Sequence, residues 1–268
     1  MGRLVSRGRR PGLLLHLRTR DAAAQPALIS KHYPMFSIVG PDCPAMISSA
    51  LRGDGRSVFL MKDSLMMEPV PFRHGVKSTV VVSRGCLGEC SYCIVRVAKG
   101  RLRSISPDVI ERNVVKAVRS GAREISLSAQ DIGVYGMDIG SNLPSLLYSL
   151  VRVDGCFKLR VGMFKPSSVI GFLSRLAEVY KSEKIYKFIH VPVQSGSNTV
   201  LERMRRGYCV STFKEIVGEF RKCFPNITVF TDVIVGFPGE DDFEFDETCE
   251  LLEEIKPDKT HVARYSPR

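Results

Sequence analysis

No run of roughly 18 or more apolar residues occurs in the 268-residue sequence, so no segment has the makings of a membrane-spanning helix. The N terminus lacks the pattern of a secretory signal, and cysteine recurs at no repeated spacing. Together these exclude a disulfide framework in so long a chain and fit a reducing cytoplasm. A second Cys-x-x-Cys pair is missing, which excludes the commonest structural zinc arrangement. Internal repeats and low-complexity tracts are also missing. Asp and Glu are absent from the first twenty residues, which carry Arg3, Arg7, Arg9, Arg10, Arg18 and Arg20.

What is present begins with charge. The formal net charge is +11 at pH 7, which favours a polyanionic partner, nucleic acid foremost. More than half of that excess lies in the arginine-rich start, so the body of the chain is only mildly basic. Such a start fits a nucleic-acid arm, a transit peptide or an unstructured lead segment, and no function is built on it. The length is that of one large domain with an appendage. The 44% hydrophobic and 25% charged composition is that of an ordinary globular protein.

Three of the eight cysteines stand together, Cys86, Cys90 and Cys93, in RGCLGECSYCIVRVAKG. A gap of three residues followed by one of two lets a tight loop aim three thiolates at one point, which suits an iron-sulfur cluster with one iron left open. An open metal position distinguishes catalytic from closed structural sites. The remaining Cys43, Cys156, Cys209, Cys223 and Cys249 are scattered singly among apolar neighbours and read as buried small hydrophobes.

From Ser78 onward, apolar strand-like runs alternate with amphipathic helical stretches. Strands are expected at 79–83, 124–130, 157–164, 187–193, 227–235 and 260–265. Helices are expected from Pro107, capped by Ser106 and stopped by Gly121, and over 144–152, 167–181, 199–205, 211–223 and 241–255. This alternation implies right-handed crossovers and a parallel sheet. An eight-unit barrel takes about 250 residues, so 78–268 has room for about six units, an α/β open or partial barrel. The active site of parallel strands lies at their carboxyl ends, where the cysteine loop, SAQD, PVQSGS and GFPGE all fall. Within the strand runs, His190 and His261 read as hydrogen-bonded core histidines rather than metal ligands. Asp131 and Asp138 read as loop caps before substrate-positioning groups. The glycines around Pro238 in GFPGE make a sharp turn, with cofactor contact and a purely structural role equally open.

The cysteine loop, with Tyr92 just before its last cysteine, resembles that of the radical S-adenosylmethionine enzymes. RGCLGECSYCIVRVAKGRLRS, SAQDIGVYGMDIG, RVGMFKP, HVPVQSGSNTVLERMRRGY and TDVIVGFPGEDDFEF resemble, in order, the methylthiotransferases of that superfamily. QDIGVYGMDIG is similar to the archaeal and eukaryotic branch acting on N6-threonylcarbamoyladenosine beside the tRNA anticodon.

The resemblance implies a partial (β/α)6 radical SAM barrel over 78–268. Ahead of it would come a basic, poorly ordered segment at 1–35, a remnant of an N-terminal α/β methylthiotransferase domain at 36–64, and a linker at 65–77. It further implies a [4Fe-4S] cluster on Cys86, Cys90 and Cys93 whose open iron takes the amino and carboxylate groups of S-adenosyl-L-methionine. Tyr92 would pack near the adenine. Ser128, Ala129 and Gln130 would meet the methionine amino group without the acid found there in relatives. Gln194, Ser195 and Gly196 would face the ribose or the methionine carboxylate, Arg203 or Arg206 would pair with that carboxylate, and Gly236 would contact the cofactor. The partners implied are the tRNA anticodon stem-loop and an electron donor such as ferredoxin or flavodoxin.

Relatives also carry three upstream cysteines for a second cluster and a C-terminal RNA-binding β-barrel. Here only Cys43 precedes Cys86, and the sequence stops at RYSPR. The function implied is methylthio transfer to C2 of that tRNA nucleoside. The alternatives are methylthio transfer to a ribosomal protein or to isopentenyl-adenosine in tRNA, or a noncatalytic iron-sulfur or RNA-binding remnant.

Overall fold

The computed structural model describes residues 72–267 continuously. Upstream it describes Lys31 and the backbone of three short strands. Contacts divide the chain into one unit of residues 1–67 with 94–100 and Arg268, and a second of 68–93 with 101–267. In the first, β1 (Leu13–His16), β2 (Phe36–Val39) and β3 (Val58–Phe59) form a parallel sheet in that order. β1 falls within the segment whose composition predicts no order. Its LLLH run supplies an apolar strand that β2 can pair, which the surrounding arginines obscure. Cys43 lies outside the described residues.

In the second unit β4 (Phe72–His74) turns through Gly75, at φ +62°, into the antiparallel β5 (Lys77–Val81). A strand thus replaces the linker expected there, because a glycine able to adopt positive φ closes a tight hairpin. β6 (Ser83–Arg84) and β7 (Arg103–Ser104) form a short antiparallel pair that brackets the cysteine loop and the helix Val95–Lys99 in sequence.

The parallel strands follow in chain order: β5, β8 (Glu124–Ser128), β9 (Lys158–Val161), β10 (Phe188–His190), β11 (Thr228–Val235) and β12 (Lys259–Arg264). β5, β8 and β9 pair in parallel, as do β10, β11 and β12. A bridge between Leu159 and Ile185 and a bond from Phe164 N–H to the His190 carbonyl (3.1 Å) join the two groups. Six parallel strands with intervening helices make the partial barrel, as expected. β10 is short because Pro192 has no N–H to give to the ladder.

Alternation along the strands builds the core. Val80, Ile125, Leu127, Leu159, Val161, Ile189, Val229 and Val233 are buried against the helices, and their alternate neighbours point to the other face of the sheet. Phe213 and Phe220 of the helix Val210–Cys223 and Ile110 and Val114 of the helix Pro107–Arg119 meet them. Phe220 lies between Phe164 (6.4 Å between ring centres) and an edge-on Tyr180 (5.0 Å).

Helix ends follow their local chemistry. Gly121, at φ +90°, ends Pro107–Arg119 with bonds from Gly121 N–H to the Val118 carbonyl and from Ala122 N–H to the Ala117 carbonyl. At the start of that helix Ser106 makes no side-chain cap; Pro107 supplies the fixed φ instead. Asp241 and Glu244 form a reciprocal capping box on the helix Asp242–Ile255. The single helix expected at 167–181 is broken into Pro166–Val169, a tight turn at Ile170–Phe172 and Leu173–Val179, with Gly171 at the break where helix propensity is weakest.

Two of the lone cysteines differ from expectation: Cys156 and Cys209 are exposed, and Cys223 and Cys249 are half-buried. Cys209 sits just ahead of the helix Val210–Cys223, 3.0 Å from Ser211 Oγ, and hydrogen bonds from Ser211 and Thr212 draw its thiol down to about 7. An exposed thiol so placed reacts as the thiolate. Among Cys156, Cys209, Cys223 and Cys249, iodoacetamide at pH 7.5 is expected to label Cys209 first, by several-fold in peptide mass spectra; labelling led by Cys156 would contradict this.

Candidate functional site

The loop that follows β6 turns Cys86 and Cys90 onto Gly88. A Cβ built on Gly88 would stand 3.3 Å from Cys86 Sγ and 3.6 Å from Cys90 Sγ. Gly88 N–H donates to Cys86 Sγ at 3.2 Å, and Cys93 N–H closes a turn onto the Cys90 carbonyl at 3.0 Å. Burial pushes the Cys86 thiol up, against the Gly88 bond, and Asp131, Cys90 and Cys93 push it further. Three cysteine sulfurs in one short loop, two of them gathered on the same glycine, are a soft donor set that fits an iron-sulfur cluster.

The loop is clamped from one side by the segment after the helix Asn198–Arg203. Ser91 N–H and Oγ donate to the carbonyls of Met204 (3.1 Å) and Arg203 (2.9 Å). That helix ends with Arg205 in the left-handed region, at φ +53°. Arg205 N–H bonds the Glu202 carbonyl and Arg206 N–H the Leu201 carbonyl, a glycine-type C-terminal cap made without glycine. The reversal carries Arg206 back under the cysteines.

Arg206 is buried and fully engaged. It donates through Nη1 to Cys90 Sγ (3.4 Å) and Tyr92 Oη (3.1 Å), through Nη2 to the Pro192 carbonyl (3.0 Å), and through Nε to Tyr208 Oη (3.0 Å). Tyr208 Oη in turn donates to the Val193 carbonyl (2.6 Å). Tyr92, whose phenol burial pushes up, packs with Val200, Met204 and Phe237. Arg206 is thus a partner of a cysteine sulfur and a phenol in this structure, and Arg203 pairs with Glu244, which also serves the capping box.

Ser128 ends β8, where its carbonyl accepts from Val82 N–H (3.0 Å); Ala129 packs at the edge of the core, and Gln130 Oε1 is buried with no partner among the described residues. An orphaned buried carbonyl oxygen past a strand's carboxyl end fits an incoming ammonium or amide donor. Gln194 sits at φ +76°, a conformation non-glycine residues seldom hold, pinned by bonds to the Asp232 carbonyl and from Ile234 N–H. Ser195 and Gly196 turn instead toward the last helix: Ser195 Oγ lies 3.3 Å from Thr248 Oγ1, and Gly196 N–H donates to the same oxygen at 2.8 Å. Gly236, at φ +70°, opens a turn closed by Glu240, whose carboxylate accepts from the N–H groups of Gly236 (2.6 Å) and Phe237 (3.1 Å).

Asp131 caps its own turn, whereas Asp138 serves a strand 34 residues away. Asp131 is buried and accepts from Gly133 N–H (3.0 Å), Lys165 N–H (3.2 Å) and Ser168 Oγ (3.0 Å), and Asp138 accepts from Ser104 N–H (2.8 Å). Sequence reading missed Asp232. It bridges His190 Nε2 (2.8 Å) and His261 Nδ1 (2.9 Å) across three neighbouring strands, joining the two histidines that had read as separate core residues. Burial opposes its ionisation, yet the two imidazoles outweigh that and hold the carboxyl below its usual range. Only the pairing of β11 with β12, which sets Asp232 opposite His261, brings these groups together.

A sequence model of the radical SAM superfamily matches residues 80–252. A probable threonylcarbamoyladenosine tRNA methylthiotransferase of Pyrococcus abyssi is 53% identical over 189 residues, 70% of this chain and 44% of the relative. The threonylcarbamoyladenosine tRNA methylthiotransferase of Homo sapiens is 40% identical over 191 residues, 70% of this chain and 33% of the relative. The chain therefore spans less than half the length of these two relatives. Among solved structures, the cobalamin-dependent S-adenosylmethionine radical enzyme OxsB superposes with a TM-score of 0.64 at 14% identity, over 90% of this chain and 39% of that one, a likeness of fold. Matched by the superfamily's sequence model over most of its parallel strands, with Cys86, Cys90 and Cys93 in the loop that follows the first of them, this chain belongs to the radical SAM superfamily.

Proposed function

We propose that the chain is the radical core of a tRNA methylthiotransferase, a transferase that adds a methylthio group to C2 of N6-threonylcarbamoyladenosine beside the anticodon. The observation that carries the reading is the 53% identity over 189 residues to a relative so named. Cys86, Cys90 and Cys93 would hold a [4Fe-4S] cluster, which would supply the electron for reductive cleavage of S-adenosyl-L-methionine.

The remaining work belongs to the chain. Arg206 donates a hydrogen bond to Cys90 Sγ, and a hydrogen bond to a ligating sulfur would tune a cluster's reduction potential. Tyr92, held by Arg206, offers its ring beside the loop, where an adenine can pack. Gln130 offers an unspent carbonyl oxygen to an ammonium group. The partners are the tRNA anticodon stem-loop and a low-potential donor such as ferredoxin or flavodoxin, in a reducing cytoplasm. No helix among the described residues is long and apolar enough to cross a membrane.

Mass spectrometry of tRNA nucleosides from a strain lacking the gene is expected to show loss of 2-methylthio-N6-threonylcarbamoyladenosine with its unmethylthiolated precursor accumulating. An unchanged methylthio signal would overturn the reading.

A further inference from the structure

The face of the sheet turned away from the helices is aromatic and cationic where the core face is aliphatic. Alternation puts Ser126 and Arg160 on it as register partners, followed by Phe188, His190, Phe230 and Asp232. The Phe188 and Phe230 rings meet edge to face at 4.9 Å between centres. Arg160 Cζ lies 4.2 Å from the centre of the Phe188 ring, and His190 and His261 flank the Phe230 ring at 6.2 and 5.9 Å.

The charges on this face do not balance. Glu124 is taken by Lys77, and Asp232 by the two histidines. Arg160, half-buried, has no carboxylate within ion-pair distance among the described residues. Each histidine gives one ring nitrogen to Asp232, leaving Nδ1 of His190 and Nε2 of His261 for something else. A half-buried guanidinium resting on a phenyl ring is a receptor for a carboxylate, which it can grip with two parallel N–H donors. Imidazole nitrogens beside aromatic rings suit the edge of a planar heterocycle.

We propose that Arg160 reads the carboxylate of the threonyl group on the substrate nucleoside, with the His190–Asp232–His261 triad and the part-exposed Phe230 ring receiving the purine. This rests on the function proposed above and deepens it: the substrate is a purine nucleoside whose N6 substituent ends in an anion, and Arg160 distinguishes it from adenosines with neutral substituents. A second source of the same chemistry is the methionine carboxylate of S-adenosylmethionine, and the test separates the two.

On cluster-reconstituted protein under anaerobic conditions, equilibrium dialysis would compare N6-threonylcarbamoyladenosine, its methyl ester and S-adenosylmethionine. The wild type is expected to bind the acid about tenfold more tightly than the ester, since charge-assisted hydrogen bonds are the strong ones. Arg160→Gln is expected to bring that ratio to about one with S-adenosylmethionine affinity unchanged, and Arg160→Lys, which keeps the charge and loses the fork, to fall between.

A wild-type ratio near one, or no binding of either nucleoside, overturns the inference, and that arm stands even if the variants misfold. So does an Arg160→Gln protein that keeps the ratio, or one that loses S-adenosylmethionine affinity with the ratio intact. Product formation on tRNA, followed in the same preparations, keeps the two claims apart. A ratio of one with product still formed removes this inference alone, and a kept ratio with no product removes the proposed reaction alone.

Discussion

Cys90→Ala protein, reconstituted anaerobically with iron and sulfide, is expected to hold less than a tenth of the wild-type iron, to lose the visible thiolate-to-iron charge-transfer absorbance, and to form no 5′-deoxyadenosine with dithionite and S-adenosylmethionine. Two thiolates cannot retain a cubic cluster that needs three protein ligands. The effect is not a folding effect. Cys90 is half-buried in a surface loop whose backbone is fixed by Ser91 on Met204 and Arg203, and Arg206 keeps Tyr92, Tyr208 and the Pro192 carbonyl when the sulfur is gone. The variant should therefore keep the wild-type circular dichroism. Cys156→Ala, at an exposed cysteine remote in sequence from the loop, serves as the control and should bind a full complement. Full iron content in the Cys90 variant would remove Cys90 from the ligand set.

Gly196→Ala should be strongly destabilising. The added methyl would sit 2.4 Å from the Glu247 carbonyl oxygen and 2.5 Å from Thr248 Cα. Both are backbone atoms of the helix Asp242–Ile255, so no rotamer change can relieve the clash; the helix must move away from β11 or the QSGS turn must open. Overpacking of this kind costs on the order of 3 kcal/mol, and in a chain of this size that corresponds to a fall of about 10 °C in Tm. The N–H bond from Gly196 to Thr248 would be lost with it. Ser195→Ala, which removes the hydroxyl's contact with the same threonine and the acceptor of Ser197 N–H (3.1 Å), should cost about 1 kcal/mol. Urea unfolding of both variants checks the order, and a Gly196→Ala loss below that of Ser195→Ala would show that the turn gives way freely.

These two residues illustrate how unevenly the molecule can be read from its sequence. The cysteine loop stands out in the sequence because its chemistry is local: the spacing of Cys86, Cys90 and Cys93 keeps them in one short loop. So do the six parallel strands, because period-2 apolar runs such as TVVVS and ITVFTDVIV alternate with helical stretches, and the end of Pro107–Arg119, because Gly121 accepts the left-handed conformation a helix stop requires. QSGS reads as a cofactor-facing turn, since it follows a strand. The structure gives Ser195 and Gly196 to the packing of a helix some fifty residues on, a contact no local pattern encodes. Arg203 and Arg206 look alike on paper. The left-handed reversal at Arg205 separates them, sending one to Glu244 and the other to Cys90 and Tyr92.

By itself the sequence determined most of the elements and the loop's composition: which longer apolar runs become the six parallel strands, where most of the helices between them fall, and which three cysteines lie in one short segment. Propensity, periodicity and short-range spacing act between near neighbours and survive in a linear string. Only the tertiary structure decided the electrostatic partners, namely Arg206 with Cys90, Asp232 with His190 and His261, and Arg160 alone on Phe188. Those depend on strand order and register, which crossover helices fix across tens of residues, and on which face of the sheet each alternate side chain is left to occupy.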